Sequence, residues 1–282
     1  MRELALVSFQ TRGTATWYDC GRLVVIDAQS LEIVRELGEE HEPDKGIFGF
    51  GWCRGVDFYK RKIVAAGYYY VLLIDYETFT VERCFNGPWV DLHSLKVVGD
   101  VAFVVSTGTD RVVTLDLTSG ETSVLWSGSS EEKDIHHYNS ITLQDGEFIL
   151  TYLGEYKGKT GALGGVINIS SGENMLVLFR PHNYTPASDG YYINLSERGE
   201  CLHNDEVIYK DRGWFRGLGV LRDGKLLLGD SPVFKEQIRP PKVVLLEENQ
   251  VVNERTFERR SWFKYYIYDI LPFIEEEVLD QP

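Results

Sequence analysis

A hairpin unit recurs along the chain, and this internal repeat limits the fold more than any other feature. Each copy has two strands rich in β-branched and aromatic residues around a two-residue turn. The copies are CRGVDFYKRKIVAAG, LHSLKVVGDVAFVVS, YNSITLQDGEFILTY, HNYTPASDGYYINLS and FRGLGVLRDGKLLLGD, with central turns KR, GD, DG, DG and DG. An Asp-Gly turn between alternating strands is the strongest short-range signal for a β-hairpin. The sequence therefore predicts a series of antiparallel hairpins.

A second unit, a strand with a polar turn and another strand, is also repeated. VVIDAQSLEIV, LLIDYETFTV, VVTLDLTSGET and VINISSGENML share an apolar run that ends in Asp27, Asp75, Asp116 or Asn168. At this place Asp and Asn close a turn by accepting hydrogen bonds from backbone amides two residues further on. A hairpin followed by this unit makes a four-stranded blade of about 40 residues, the length of a propeller repeat.

The two ends of the chain supply the remaining strands. Five blades cover about residues 52 to 259, ELALVSF, RLVVIDA and LEIVREL supply three further strands, and WFKYYIYDILPF supplies one more. We therefore predict an all-β, six-bladed β-propeller that forms a single domain over residues 1–282. Its first blade combines about 1–38 with 261–273, with the C-terminal strand innermost. Closing the ring in this way removes exposed sheet edges. FIEEEVLDQP predicts a short helical tail.

The charge and the cysteines limit the partners. The net charge of -14 disfavours binding to nucleic acid or to an anionic membrane. The segment MRELALVSFQ lacks a signal-peptide pattern, and Cys20, Cys53, Cys84 and Cys201 form no CxxC pair. Scattered free thiols are typical of a reducing cytoplasm, so we predict a cytoplasmic protein. No phosphate loop with a GK[ST] ending opens a helix, and we expect no nucleotide cofactor.

Polar residues occupy the start of the first strand of each predicted blade, where a propeller has one mouth of its central channel. The aligned residues are Arg54, His93, Asn139 with His137 two before it, Asn183 with His182 one before it, and Arg216, with Tyr268 and Asp269 nearest in the composite blade. Positions that served only for packing would be apolar. The pattern therefore predicts a polar channel mouth that takes a small-molecule ligand.

Three of these residues are imidazoles from consecutive blades. Neutral His side chains are ligands for divalent transition metals such as Zn, Mn or Fe, so His93, His137 and His182 predict a metal site. The alternative is that the imidazoles only form hydrogen bonds across a water-filled channel. The sequence leaves both interpretations open.

The pairs of Arg and Gly in WCRGV and WFRGL place Arg54 and Arg216 at the same mouth. Planar guanidinium groups bind carboxylate, phosphate or sulfate with two parallel hydrogen bonds, which predicts an anion site completed by Asn139 and Asn183. The alternative is an internal Arg–Asp brace with Asp57, Asp230 or Asp269 as partner.

These hairpin blades resemble the six-bladed propellers of the gluconolactonase, senescence-marker protein and strictosidine synthase group over most of the chain. The resemblance implies a divalent cation held at the channel by Glu, Asn and Asp, with Asn139 and Asn183 at the positions of metal-binding Asn residues. The chain departs from this pattern, because the first blade has no inner Glu and Arg216 stands where an Asp is expected. By residue type alone, the His and Arg set is also similar to that of propeller lyases that act on uronates.

Together these observations give two hypotheses from different functional classes. The first is a propeller enzyme, a metal-assisted hydrolase or lyase, that acts on a small anionic or sugar-like molecule at the His-, Asn- and Arg-lined mouth. The second is a non-catalytic propeller that binds a ligand or another protein, because the fold serves both roles.

Overall fold

The protein forms a ring of six β-sheets. The structure is a computed structural model that describes residues 1–12, 22–37, 53–155, 163–232, 239–258 and 264–281. The described residues form six four-stranded antiparallel sheets, and the inner strands of successive sheets contact one another in a closed circle. The prediction of a six-bladed all-β propeller is confirmed.

The strands follow the chain from the centre of each blade outward. Blade 1 has β1 (Glu3–Arg12), β2 (Arg22–Asp27) and β3 (Ile33–Leu37), and blade 2 has β4 (Val56–Tyr59), β5 (Lys62–Ala66), β6 (Tyr70–Asp75) and β7 (Val81–Asn86). Blade 3 has β8 (Leu92–Val98), β9 (Val101–Ser106), β10 (Arg111–Asp116) and β11 (Thr122–Ser127). Blade 4 has β12 (Tyr138–Gln144), β13 (Glu147–Tyr152), β14 (Gly164–Asn168) and β15 (Glu173–Leu178).

The remaining blades complete the circle. Blade 5 has β16 (Pro181–Ala187), β17 (Gly190–Leu195), β18 (Glu200–His203) and β19 (Glu206–Lys210), and blade 6 has β20 (Trp214–Val220), β21 (Leu226–Ser231), β22 (Lys242–Glu247) and β23 (Gln250–Thr256). The last strand, β24 (Lys264–Ile274), belongs to blade 1, and the helix α1 (Glu275–Leu279) follows it. The prediction of a short helical tail is confirmed.

Ring closure is made by the C-terminal strand. The order of blade 1 is β24-β1-β2-β3, and β1 pairs with β24 from Glu3–Ile274 to Arg12–Lys264. The predicted innermost position of the last strand is therefore confirmed. Hydrophobic side chains join this blade to blade 6, where the rings of Phe9 and Phe257 meet edge to face at 4.9 Å.

The polar turns form as predicted. Asp116 Oδ1 accepts hydrogen bonds from the backbone N–H groups of Thr118 and Ser119 at 2.8 and 2.7 Å. Asp27, Asp75 and Asn168 accept equivalent bonds in blades 1, 2 and 4. Each residue thus satisfies backbone donors that the tight turn would otherwise leave without a partner.

Two of the five hairpin turns were assigned wrongly from the sequence. In blade 5, Ala187 pairs with Gly190, so the turn is Ser188–Asp189 and the glycine already belongs to β17. In blade 6, Val220 pairs with Leu226, which leaves a five-residue connection, 221–225. Leu221 is buried against the core between blades 6 and 1, and this packing requires the longer loop.

The cysteines that the structure describes are free thiols. Cys53 and Cys201 are buried and Cys84 is exposed, while Cys20 lies outside the described residues. Burial raises the pKa of the Cys201 thiol to about 12. In the described ranges, no helix combines the length and apolar character that crossing a membrane requires.

Candidate functional site

Irregularities of register bring polar side chains together at one end of the channel. The pairing of the innermost strand shifts at His93 in β8, at Asn139 in β12 and at Tyr268 in β24. It also shifts between His182 and Thr185 in β16 and between Phe215 and Leu218 in β20. A bulge interrupts the alternation of a strand and redirects a side chain, so five inner strands change direction at one level.

The glycine after each arginine has a steric reason. A Cβ atom on Gly55 would lie 2.5 Å from the Cα atom of Ser94 in the next inner strand. Gly217 has φ +75, and a Cβ atom there would lie 2.8 Å from Cγ1 of Ile270. Glycine therefore lets the neighbouring inner strand approach beside both arginines. Trp52, which begins the first of the two motifs, lies outside the described residues.

Tyr268 is the centre of the polar cluster. The guanidinium carbons of Arg54 and Arg216 lie 5.3 and 4.6 Å from the centroid of its ring. The His93 ring lies 5.5 Å from the same centroid, and Tyr268 is 4% exposed. Cationic groups are attracted to the face of an aromatic ring, which fixes both arginines at the mouth. We refer to Arg54, His93, His137, His182, Arg216 and Tyr268 as the Arg–His site.

The three histidines lie in the same buried region. The rings of His93 and His137 are edge to face with centroids 4.8 Å apart. Burial, followed by the charge of Arg54, holds the pKa of His93 well below its usual value. Burial and the charge of Arg216 lower the pKa of His182 in the same way. Both imidazoles are therefore neutral at pH 7.

His137 is oriented by two carboxylates. Its Nδ1 lies 3.1 Å from the Asp134 carboxylate, so Nδ1 carries a proton that it donates there. Asp110, fully buried, accepts the backbone N–H groups of Ile135, His136 and His137 at 2.9, 2.7 and 3.1 Å. Asp110 thus holds the turn in which His137 adopts φ 55. This is the arrangement of an imidazole whose Nε2 can accept a proton.

Arg54 has a carboxylate partner, but not one of those predicted. Its Nη1 lies 2.5 Å from Oδ1 of Asp91, 2.7 Å from the Leu92 carbonyl and 2.8 Å from Nδ1 of His93. Of the three suggested brace partners, Asp57 pairs with Lys96 and Asp230 with Arg239, while Asp269 accepts the backbone N–H groups of Val56 and Ile270. The prediction of these partners is wrong for Arg54, because the left-handed turn at Asp91 brings that residue nearer.

The two asparagines join neighbouring blades. Asn139 Nδ2 donates to the Pro181 carbonyl at 3.1 Å, which links blade 4 to blade 5. Asn183 Oδ1 accepts the N–H of Gly217 at 3.0 Å, which links blade 5 to blade 6. The structure thus brings the predicted Arg and His residues together and uses these amides between blades. A contact of either amide with a ligand stays a prediction.

Within the described ranges, two buried side chains at the mouth lack hydrogen-bond partners. His182 lies near the Arg180 carbonyl, yet neither of its ring nitrogens has a partner of normal hydrogen-bond geometry in the described chain. The Tyr268 hydroxyl likewise has no partner among the described residues. These side chains are 3% and 4% exposed. Buried polar groups are nearly always hydrogen-bonded, so both groups are available to a ligand.

The electrostatics of the site do not match a bare cation. No group of three or more His, Cys, Asp and Glu within the described ranges is arranged to hold a metal ion. Nδ1 of His93 faces Arg54, and the charge of Arg216 acts on His182. A divalent ion placed among these imidazoles would meet two guanidinium groups. The metal site at His93, His137 and His182 stays a prediction.

A second polar region follows the bulges along the axis. A cavity of about 310 Å³, which we call the axial cavity, is lined by residues that come after the Arg–His site in the inner strands. Its polar lining includes Asp57, Ser94, Lys96, Asn183 and Asp269. Burial raises the pKa of Asp269 to about 7. The sequence predicted Asp57 as a partner for arginine, and Asp269 both as such a partner and as the mouth position of the composite blade, but nothing in the pattern indicated a cavity.

Comparison with known proteins shows the fold alone. No protein-family model matches the chain, and no curated protein matches it in sequence. A protein of unknown function from Bacteroides caccae is similar in structure, with a TM-score of 0.64, 15% identity, and coverage of 98% of this chain and 100% of that chain. A chain of a nidogen/laminin complex has a TM-score of 0.66 at 11% identity, over 96% and 98% of the two chains.

A third solved structure has a lower TM-score. The β-propeller domain of Myceliophteria thermophila Cps50 (Swd1) has a TM-score of 0.51 and 10% identity, with 90% of each chain covered. At these identities the likeness supports the propeller architecture and carries no activity. The predicted resemblance to the gluconolactonase group is supported only as far as a six-bladed propeller.

Proposed function

We propose that the Arg–His site binds a small organic anion and that His137 acts on it as a general base. The observation that supports this is a pair of buried groups, His182 and the Tyr268 hydroxyl, that find no hydrogen-bond partner among the described residues and lie beside two guanidinium groups. Guanidinium and phenol groups donate hydrogen bonds, so a ligand with acceptor oxygens fits them best. Carboxylate, phosphate and sulfate are such groups.

A hydroxy acid or sugar acid uses more of the site than a simple anion. Its acid group faces Arg54 and Arg216, and its hydroxyl groups reach His182 and Tyr268. A carboxylate held by arginine also makes the hydrogen on the adjacent carbon more acidic. His137, oriented by Asp134 at 3.1 Å, is the base that removes this proton.

The reaction that this arrangement favours is an elimination. The proton passes from carbon to Nε2 of His137, the C–H electron pair forms a double bond, and the neighbouring C–O bond breaks with its electrons on the leaving oxygen. A hydrolase would use the same base to activate water, and the elimination is preferred because the guanidinium groups stabilise the developing carboxylate charge.

We place the protein in the cytoplasm on the basis of its free thiols.

Calorimetry with matched ligands tests this proposal. Galacturonate, gluconate, phosphate and neutral galactose are titrated into the protein, and uronate solutions are followed for the absorbance of a conjugated double bond. We expect the acids to bind and galactose not to bind. His137→Gln should keep the affinity and lose turnover. Equal affinity for galactose and galacturonate would overturn the proposal. Binding without turnover in the unaltered protein would support the non-catalytic ligand-binding propeller.

A further inference from the structure

We propose that the axial cavity is a second ligand site, separate from the Arg–His site, and that it takes a small organic ammonium ion. The cavity of about 310 Å³ lies at the lower end of the size range of small-molecule pockets. It is lined by six inner strands, so its shape is set by rigid elements and not by loops.

Backbone N–H groups of the inner strands donate hydrogen bonds to polar side chains of the neighbouring blade. Asp57 Oδ2 accepts the N–H of Val97 at 2.7 Å, and Asp269 Oδ2 accepts the N–H of Val56 at 3.3 Å. Ser94 Oγ accepts the N–H of Ile141 at 3.3 Å, one blade further round the ring. These bonds occupy backbone donors, while each carboxylate keeps further lone pairs that can accept hydrogen bonds from a ligand. A ligand rich in donors is therefore favoured.

When ionised, Asp269 carries a negative charge that pairs with no cationic side chain among the described residues. In the part of the chain that the structure describes, it forms no ion pair, and its oxygens accept only the N–H groups of Val56 and Ile270. The nearby cation, Lys96, lies 2.9 Å from Asp57 and is engaged there. A buried carboxylate is costly unless a cation accompanies it, and a ligand ammonium group would provide that cation.

An organic cation fits better than a metal ion. Among the described residues no cluster of His, Cys, Asp and Glu is arranged for a metal, and the cavity is larger than a bare ion requires. The protein has a net charge of -14, which concentrates cations near its surface. A primary amine with a short carbon chain places its ammonium group at Asp269 and its chain along Leu218 and Ile270, which also line the cavity.

Ligand binding should be coupled to protonation of Asp269. The ionisable groups that face Asp269 are Cys53, Asp57, Lys96 and Tyr268. Burial and the Asp57 charge raise the pKa of Asp269, while Lys96 lowers it, with a net value of about 7. An ammonium ion binds the ionised carboxylate. Binding should therefore release a proton below pH 7 and become about tenfold tighter between pH 6 and pH 8.

The test uses n-butylammonium and its neutral counterpart 1-butanol, titrated calorimetrically into the full chain at pH 6 and pH 8. We expect butylammonium to bind more tightly at pH 8, with proton release at pH 6 detected as a dependence of the heat on the buffer. We expect butanol not to bind. Equal affinity for both compounds, or an ammonium affinity that does not change with pH, would overturn the proposal. These measurements on the unaltered protein need no variant.

Matched variants locate the site. Asp269→Asn should abolish butylammonium binding, while Asp145→Asn, which removes the same charge from an exposed hairpin turn, should leave it unchanged. Arg216→Lys should also leave it unchanged, because Arg216 belongs to the other site. Butylammonium binding that survives Asp269→Asn would contradict the assignment. Anion binding at the Arg–His site is measured separately, so a failure of the ammonium proposal can be told apart from a failure of the proposed function.

Discussion

The Asp134 carboxylate lies 3.1 Å from Nδ1 of His137, three residues further along the same turn. Both residues precede β12, and Asp110 in the preceding blade holds the turn by three backbone hydrogen bonds. Asp134 therefore keeps the proton on Nδ1 of His137, and the hydrogen bonds from the turn to Asp110 in blade 3 hold Asp134 in place. A tautomer fixed in this way makes Nε2 the basic nitrogen.

Asp134→Asn should separate chemistry from binding. An asparagine can present its amide N–H to the ring and so favour the opposite tautomer, with the proton on Nε2. We expect turnover of a bound acid to fall about 100-fold with little change in affinity. Steady-state kinetics and calorimetry measure the two quantities. Asp189→Asn, which alters the surface pair His203–Asp189, is the control and should retain activity. A loss of affinity equal to the loss of turnover would argue against a role in proton transfer.

Arg216→Lys should weaken anion binding more than it weakens the fold. Lysine keeps the charge but loses the planar pair of donors and the flat contact with Tyr268 at 4.6 Å. We expect the dissociation constant for a carboxylate to rise about tenfold or more, equivalent to about 1.4 kcal/mol, with a nearly unchanged melting temperature. Arg61→Lys at an exposed hairpin turn is the matched control. A destabilised variant with normal affinity would show that Arg216 is a structural brace.

A chain that ends at Glu258 should fail to fold as a monomer. The deletion removes β24, the strand that pairs with β1 from Glu3 to Arg12 and contacts blades 2 and 6. It exposes the edge of β1 and the core side chains that Ile267 and Ile270 cover. Size-exclusion chromatography should show aggregates, and thermal melting should show no cooperative transition. A monomer with unchanged thermal stability would contradict ring closure by β24.

Asp269→Asn should change how stability depends on pH. The pKa of Asp269 is raised from 3.8 to about 7 in the folded protein, so this group favours the folded state at low pH. Its contribution is complete below the unfolded pKa and is lost as the pH rises from about 4 to 7. As the pH rises from 4 to 8, the free energy of unfolding of the variant should increase by roughly 2–4 kcal/mol relative to that of the unaltered protein. Urea unfolding at both pH values measures this difference, and parallel pH profiles would refute the assignment.

The blade architecture was readable from the sequence because each of its signals is local. Asp116 and Asn168 close turns with their own neighbours, and alternating strands flank each hairpin. The errors occurred where a distant contact decides the geometry. The connection in blade 6 is longer than two residues because Leu221 packs into the core shared with blade 1.

The sequence predicted which residues share one end of the channel, but it did not predict which side chains contact one another there. Aligning the hairpins indicated that Arg54, His93 and Arg216 share one mouth, and the structure places all three around Tyr268. The alignment could not identify Asp91 as the partner of Arg54, or Asn139 as a link between blades. These pairings depend on bulges and left-handed residues, which shift side chains without leaving a periodic pattern.

The glycines that follow Arg54 and Arg216 also offer a way to trace this site in other proteins. At Gly55 a methyl group would lie within 2.5 Å of Ser94 Cα in the adjacent strand, so replacing the glycine forces that strand away. A distant homologue that keeps arginine but lacks the glycine must therefore space its inner strands differently. Homologues that keep both Arg–Gly pairs are expected to keep the same arrangement of the two arginines at the ligand site. Propellers that share only the blade architecture are expected to vary at these four positions.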